Sequence, residues 1–341
     1  MGCIFSASRS RAFLYQVEAE SSDHTVPPPV FSWDRADRSD AKDFVYKDLK
    51  AQSKVKPPGS VQGQQFIIDS CENCSIYLFD NSASVNIDDC NNCCIFVGPV
   101  DGSLFVRDCR NCTIITVCRQ FRTRDCCDCR CMLACSTKPI IEASNNIQFG
   151  CFDVGYQGLV AQLETIGLSR FQNFWSDVYD FTPGTGHWDF LPLECSGLEL
   201  LEPVSGEATE YLTRHVAEVI PKTHGQRPLH ADYSNFLWVI FPASAVQAAT
   251  QLIITVQQQA KSVVLLRTTQ AKLDQQTIDD LRAKIALRSE IWDLFQTEEH
   301  IALEFQGGEC DAVETMAKEA GACATSRNPA EALPLQFAGL S

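Results

Sequence analysis

A cysteine pair that returns on a nearly fixed period constrains this chain more than any other feature. The pairs are Cys71/Cys74, Cys90/Cys93, Cys109/Cys112 and Cys126/Cys129, with first cysteines 19, 19 and 17 residues apart. An acidic or hydroxyl residue precedes each (Ser70, Asp89, Asp108, Asp125), and Asn73, Asn92 and Asn111 hold one position within the pairs. Self-similarity at a short fixed period is the signature of a stacked solenoid. Each turn is too short for helices and rich in β-branched residues, which predicts a right-handed parallel β-helix running from about Gly63 to Phe152. Asn tolerates the left-handed backbone of a tight corner, and cysteine is a small residue suited to a buried ladder.

Aligning the turns on the first cysteine separates inside from outside. Phe66, Val85, Leu104 and Phe121 stand five residues before it, and Ile68, Ile87, Val106 and Thr123 three before. Period-two alternation turns these inward and their neighbours outward. Gln120, Arg122 and Arg124 therefore leave one strand together toward solvent. A degenerate fifth turn around Ser144 and Asn146 sets Lys138, Ile140 and Glu142 beside them, about one strand spacing (~4.8 Å) away. Arg124 then lies between Arg107 and Glu142, where the carboxylate can steady it. Arg122 lies between Phe105 and Ile140, both apolar and expected to be exposed. An arginine framed by apolar side chains fits a partner-docking face; three ordinary solvated polar residues fit the pattern as well. Gly102-Ser103 falls beside Arg119-Gln120 on the preceding coil. A glycine there either leaves space for a phosphate or serves a turn.

The run Gln120-Phe121-Arg122-x-Arg124-Asp125, the repeated Asp-Cys-x-Asn-Cys turns and Pro139-Ile140-Ile141-Glu142 resemble the tubulin-binding cofactor C domain family. The resemblance is closest to a retinal member that activates an Arf-like GTPase. It extends from Met1-Gly2-Cys3 through Gly63-Gln64-Gln65-Phe66 and Phe149-Gly150-Cys151-Phe152 to a weakly matching C-terminal domain. It implies a GTPase activator that inserts an arginine into its partner's active site. By residue match that arginine is Arg122, with Gln120 beside it and Arg124 and Glu142 in support. Gly102, Ser103, Arg119, Gln120, Phe121 and Arg122 would contact the partner's GTP, and Phe105, Ile140 and Phe181 would line the partner face. GTP and magnesium would both be carried by the partner, leaving this chain without a cofactor of its own.

Composition narrows the alternatives. A net charge of −15 disfavours nucleic acid, which needs a concentrated basic face. No apolar run approaches the ~18 residues of a membrane span, and no secretory signal is visible. Of 18 cysteines, 14 lie between Cys71 and Cys151. A reducing compartment then makes a disulfide framework unexpected. Cys71-x-x-Cys74 followed by Cys90-x-x-Cys93 fits a zinc spacing. Four in-phase repeats favour structural thiols, so no metal is expected.

Met1-Gly2-Cys3-Ile4-Phe5-Ser6 matches the myristoylation pattern, with Gly2 the acceptor and Cys3 a palmitoylation candidate. One myristoyl chain binds membranes only marginally, and Arg9 and Arg11 are too few for a basic second signal, so stable anchoring needs Cys3. Residues 1–60 read as a tether and approach segment, packing Trp33 and Phe44 on the solenoid, and 61–183 as the β-helix domain. Leu159–Leu168 reads as a short helix capping the stack. Residues 184–232 read as a linker with one helix around Glu207–Val219.

From 233 to 341 the pattern alternates. Strands are predicted at Phe236–Phe241, Ser262–Thr268 and His300–Phe305, with helices at Ala245–Gln259, Asp274–Arg288 (Asp274 the N-cap) and Cys310–Ala320. That order suggests an α/β sandwich of ferredoxin-like type. The resemblance implies a nucleoside-diphosphate-kinase-like domain here. The catalytic motif Asn-x-x-His-x-Ser-Asp is absent, so dimerisation or partner binding is expected instead.

The leading expectation is a GTPase-activating protein for an Arf-like GTPase, acting in trans from the cytoplasmic face of the plasma membrane or from the cilium or basal body, in membrane protein trafficking. Tubulin is the alternative partner, as GTPase target or folding client. A non-catalytic adaptor is the third reading.

Overall fold

The computed structural model describes residues 41–201, 207–214, 219–229, 235–272, 275, 278–279, 289–297 and 299–327. Gly2, Cys3, Trp33 and Asp274 lie outside them.

Six successive corners bend through paired left-handed residues: Asp48/Ala51, Ser70/Asn73, Asp89/Asn92, Asp108/Asn111, Asp125/Asp128 and Ala143/Asn146, with φ between 45° and 56°. Short polar side chains tolerate this conformation best, which explains the Asp and Asn that flank each cysteine pair. Between corners the chain runs as a parallel β-solenoid. Its outer sheet stacks β1 (Val45–Lys47), β3 (Phe66–Asp69), β5 (Val85–Asp88), the C-terminal parts of β6 (Cys94–Arg107) and β7 (Thr113–Arg124), β9 (Ile140–Glu142) and β12 (Tyr179–Asp180). A second side stacks β2 (Ser53–Lys56), β4 (Ser75–Leu78), the N-terminal parts of β6 and β7, β8 (Arg130–Cys135), β10 (Ile147–Cys151) and β13 (Trp188–Phe190).

In-register stacking turns the repeat into columns. Phe66, Val85, Leu104 and Phe121 align from coil to coil, as do Ile68, Ile87, Val106, Thr123 and Ile141, all buried. The cysteines fill the corners and donate to carbonyls of neighbouring coils. Cys93 Sγ reaches Cys71 O at 3.4 Å, Cys112 Sγ reaches Cys90 O at 3.5 Å, and Cys129 Sγ reaches Cys109 O at 3.7 Å. The thiol thus fills a small core position and adds a second donor to carbonyls that already accept from Asn91 N, Arg110 N and Cys127 N. Burial pushes the Cys131 and Cys151 thiols above the usual range. On the rim, Asn92 donates to Asn73 Oδ1 and Asn111 to Asn92 Oδ1, a ladder tying three corners together.

Two segments depart from the sequence reading. α1 (Leu159–Thr165) does not cap the stack: Leu159 and Leu163 pack beside Phe79, Phe96 and Tyr156 on the flank of the second side. The end is closed instead by β12 and by β13, the latter from the stretch expected to begin a linker. Asn146 N donates to Gly186 O and Ile147 N to His187 O, so the 180s form a partial further coil. Beyond them come α2 (Gly197–Leu201), α3 (Ala208–Tyr211) and β14 (Leu212–Arg214), which pairs antiparallel with β11 (Val154–Tyr156). The expected helix around Glu207–Val219 is thus a single turn followed by a strand. Phe44 packs on the solenoid core as expected.

The C-terminal part alternates β15 (Phe236–Pro242), α4 (Val246–Gln259), β16 (Val263–Ala271), α5 (Ser289–Thr297), β17 (His300–Gly307), α6 (Cys310–Glu319) and β18 (Ala324–Ser326). The sheet order is β16-β17-β15-β18, antiparallel throughout. α4 and α6 cover one face through Leu252, Ile253, Val256, Val313 and Ala317; Trp292 and Phe295 of α5 cover the other against Trp238 and Ile240. His300 opens β17 and is buried, in a run Glu299-His300-Ile301 that does not match the kinase histidine motif.

Candidate functional site

The register of the outer sheet sets Asn86, Phe105, Arg122, Ile140 and Tyr179 in one outward row. Behind Arg122, Phe121 and Thr123 are buried, so strand alternation leaves its side chain no route except solvent. Arg122 is exposed, and its guanidinium makes no hydrogen bond or ion pair with any described residue. Phe105 and Ile140 flank it as expected but are half-buried rather than exposed. The exposed apolar surface lies one strand further on. Tyr179 and Phe181 are 53% and 59% exposed, with ring centroids 5.2 Å apart in an edge-to-face pair. Phe181 was legible from sequence; Tyr179 was not singled out, although the Tyr179-Asp180-Phe181 alternation carried the signal.

The adjacent row is charged. Arg107 pairs with Asp88 through Nε at 2.6 Å and Nη2 at 2.9 Å. Arg124 stands between Arg107 and Glu142 in the register, as the repeat required. Its ion pair, however, is with its neighbour Asp125 at 3.2 Å. The Glu142 carboxylate makes no ion pair among the described residues, so it does not hold Arg124 here. Lys47, at the far end of this row, holds the Asp69 carboxyl below its usual range, with Ser70 assisting.

Gln120 lies beside Ser103, whose Oγ donates to Gln120 Oε1 at 3.0 Å. Gly102 leaves no open space for a phosphate: a Cβ there would meet Ala83 O at 2.7 Å. Glycine is required because the preceding coil passes too close for a side chain. Arg119 is likewise committed, with Nε 2.6 Å from Asp101 O, and Nη2 2.6 Å from Asp101 Oδ1 and 3.2 Å from Ile166 O. It lines a cleft with Gln172, Gln270 and Glu299, away from the outward row. Phe121, also expected near GTP, is fully buried beneath the face.

The loop after β12 frames the site. Asp180 Oδ1 accepts from Thr182 N at 2.9 Å, while Thr182 Oγ1 accepts from Ala143 N at 2.8 Å, next to Glu142. Phe181 N donates to Ile141 O at 2.8 Å. This clasp was not visible in the sequence, since Ala143 and Thr182 stand 39 residues apart and meet only on neighbouring coils. Among the described residues no three His, Cys, Asp or Glu side chains group as a metal site, and no helix is long and apolar enough to cross a membrane.

A family model described as Tubulin binding cofactor C matches residues 63–181. Protein XRP2 of Gallus gallus is 42% identical over 315 residues, covering 90% of this chain and 87% of the relative. Protein XRP2 of Homo sapiens is 40% identical over 312 residues, covering 90% and 87%. The Tubulin-specific chaperone C of Bos taurus is 29% identical over 175 residues, half of each chain. A solenoid matching the cofactor C model, in a chain that aligns with the XRP2 proteins over 90% of its own length and 87% of theirs, places this protein in the XRP2 family of tubulin-binding-cofactor-C-domain proteins.

Proposed function

We propose that this protein is a GTPase activator for an Arf-like small GTPase, supplying Arg122 in trans. One observation carries the reading: an exposed guanidinium without a partner among the described residues, fixed at its base by a strand whose flanking residues are buried and bordered by Phe105, Ile140, Tyr179 and Phe181. Negative charge redistributes over the β/γ-phosphate oxygens as GTP is hydrolysed, and water ordinarily screens it. A fixed guanidinium excludes that water and pairs with the charge, an effect worth roughly 10³–10⁵ in rate. That corresponds to about 4–7 kcal/mol of transition-state stabilisation. Gln120 would act beside Arg122, on the partner's own glutamine or a phosphate oxygen, with Arg124 and Glu142 supporting the face without an ion pair between them; the partner brings GTP and magnesium. Gly2 and Cys3 would carry myristoyl and palmitoyl chains, tethering the activator to the cytoplasmic face of the plasma membrane or to a cilium or basal body, where it would serve membrane protein trafficking.

The C-terminal part is read as a ferredoxin-like, nucleoside-diphosphate-kinase-like domain without kinase activity. Numbered by appearance, its four strands stand in the order 2-3-1-4, which is what a split βαβ arrangement has. Its role would be partner binding or dimerisation. The similarity to a tubulin-specific chaperone favours a second reading, stimulation of tubulin's GTPase, which needs no membrane anchor.

Single-turnover hydrolysis with saturating activator, run across a small panel of GTPases and tubulin, tests the proposal. Arg122→Ala should abolish nearly all stimulation while affinity for a partner loaded with a non-hydrolysable GTP analogue changes little. Arg122→Lys should also fail, because a point donor cannot bridge two oxygens in a fixed fork. Stimulation by Arg122→Ala equal to wild type sinks the mechanism, and binding without any turnover leaves an adaptor.

A further inference from the structure

Five cationic side chains stand on or beside the last coils of the outer sheet, and their partners divide them. Arg107 holds Asp88 and Arg119 holds Asp101, both at 2.6 Å, while Arg124 holds Asp125 at 3.2 Å. Arg122 and Lys138 pair with no described residue. In a chain of net charge −15, with carboxylates near every other cation of this group, two unpaired ones stand out. Lys138 is also half-buried, which limits the directions its side chain can take.

The position of Lys138 is bracketed from both sides. Thr137 N and Oγ1 each donate to Arg119 O at 3.1 Å, and Ile140 pairs with Arg122. Lys138 therefore lies across from Gln120, at about one strand spacing (~4.8 Å). Pro139 and Ile141 are buried, which sends the alternating Lys138 and Ile140 outward. The Ser103 hydroxyl occupies Gln120 Oε1 and leaves the amide's N–H donors unengaged. A guanidinium and an ammonium, neither with an acceptor among the described residues, thus stand next to an amide nitrogen at neighbouring register positions.

We propose that Lys138 reads the polyphosphate of the nucleotide held by the partner GTPase, supplying ground-state affinity for the triphosphate form. The inference rests on the activator reading above and deepens it. An ammonium is a mobile point charge that attracts phosphate oxygens in the bound nucleotide as well as in the transition state. Its contribution falls on binding, whereas the rigid fork of Arg122 acts on the saturated rate.

The experiment titrates the full chain and its Lys138→Gln and Lys138→Arg variants against an Arf-like GTPase stimulated by wild type. The GTPase is loaded with a non-hydrolysable GTP analogue or with GDP, at low and physiological salt. Lys138→Gln should weaken binding of the triphosphate form by roughly 5–10-fold, the loss of one charge-assisted contact. It should also flatten the salt dependence and leave the saturated single-turnover rate within about twofold. Lys138→Arg should restore affinity. An unchanged titration overturns the proposal, as does a fall in saturated rate without weaker binding. Equal weakening toward both nucleotide states also overturns it and assigns Lys138 to an acidic side chain of the partner. Arg122→Ala run in parallel separates the two readings: if it stimulates like wild type, or if wild type stimulates no GTPase, both fall together. A silent Lys138 beside a dead Arg122→Ala removes this inference alone.

Discussion

Asp180 Oδ2 lies 2.8 Å from His187 Nδ1, and the pair closes the loop on which Phe181 stands. Both side chains are mostly buried, and Asp180 additionally accepts from Thr182 N and Oγ1. The most exposed aromatic of the docking face is therefore held by a local clasp rather than by core packing. Asp180→Ala should strand the Thr182 donors and cost about 1–3 kcal/mol of local stability. Amide hydrogen exchange at Ala143 and Ile147 should speed up first, since both donate into this loop. Affinity for the GTP-loaded partner should fall while the rate at saturation holds. Unaltered exchange at both amides would show that the clasp holds nothing.

Gly102→Ala places a methyl group 2.7 Å from Ala83 O, a backbone atom of the preceding coil that cannot swing aside. Gly102 N also donates to Ala83 O at 2.8 Å, so the coils cannot part without losing that bond. Urea unfolding should show a loss of about 1–3 kcal/mol. A substitution that leaves the midpoint unmoved would restore the reading of Gly102 as open space beside the face.

The corner cysteines should behave as core and not as ligands. Cys112→Val keeps the volume nearly but deletes the thiol contact to Cys90 O, which still accepts from Arg110 N, and should destabilise by about 0.5–1.5 kcal/mol. Purified protein should carry well under one zinc per chain by elemental analysis, and chelator should leave its unfolding curve unchanged. One stoichiometric zinc would overturn the structural role given to the ladder.

Membrane attachment should depend on two lipids. Gly2→Ala should move the chain to the soluble fraction, and Cys3→Ser should leave weak, reversible association. Equal membrane retention of wild type and Gly2→Ala in fractionation would refute the tether.

Acid should weaken the C-terminal sheet through Glu314. The Lys318 ammonium at 2.8 Å, with Thr325 and Arg327 beside it, holds this carboxyl down to about 2 against the opposing effect of burial. A carboxylate whose folded value is depressed contributes stability above its unfolded value and loses it as pH falls through the folded one. The contribution is therefore whole above about 4.5 and fades toward about 2. Glu314→Gln should flatten the stability of this region across that window in acid titrations followed by Trp238 or Trp292 fluorescence. An unchanged slope would show that the partners do not act through charge.

The repeat alone determined which side chains face in and which face out. Alternation along a strand is local sterics, and a cysteine pair every 17 to 19 residues phases it, so Phe121 and Thr123 had to be core once Arg122 faced solvent. The same local logic placed the helices α4 and α6 and three of the four strands of the C-terminal sheet within a few residues, but not the short edge strand β18. What neighbours what across coils was decided only by the tertiary structure. Arg124 stands beside Glu142 yet pairs with Asp125, because the register sets backbone spacing while side-chain rotamers choose among nearby carboxylates. Gly102 is a close approach to Ala83, on the coil before it and invisible along the chain. Trp188–Phe190 joins the solenoid because the last full coil exposes a parallel edge that some strand must cover, and no short-range pattern in a Gly- and Pro-rich stretch announces which one will.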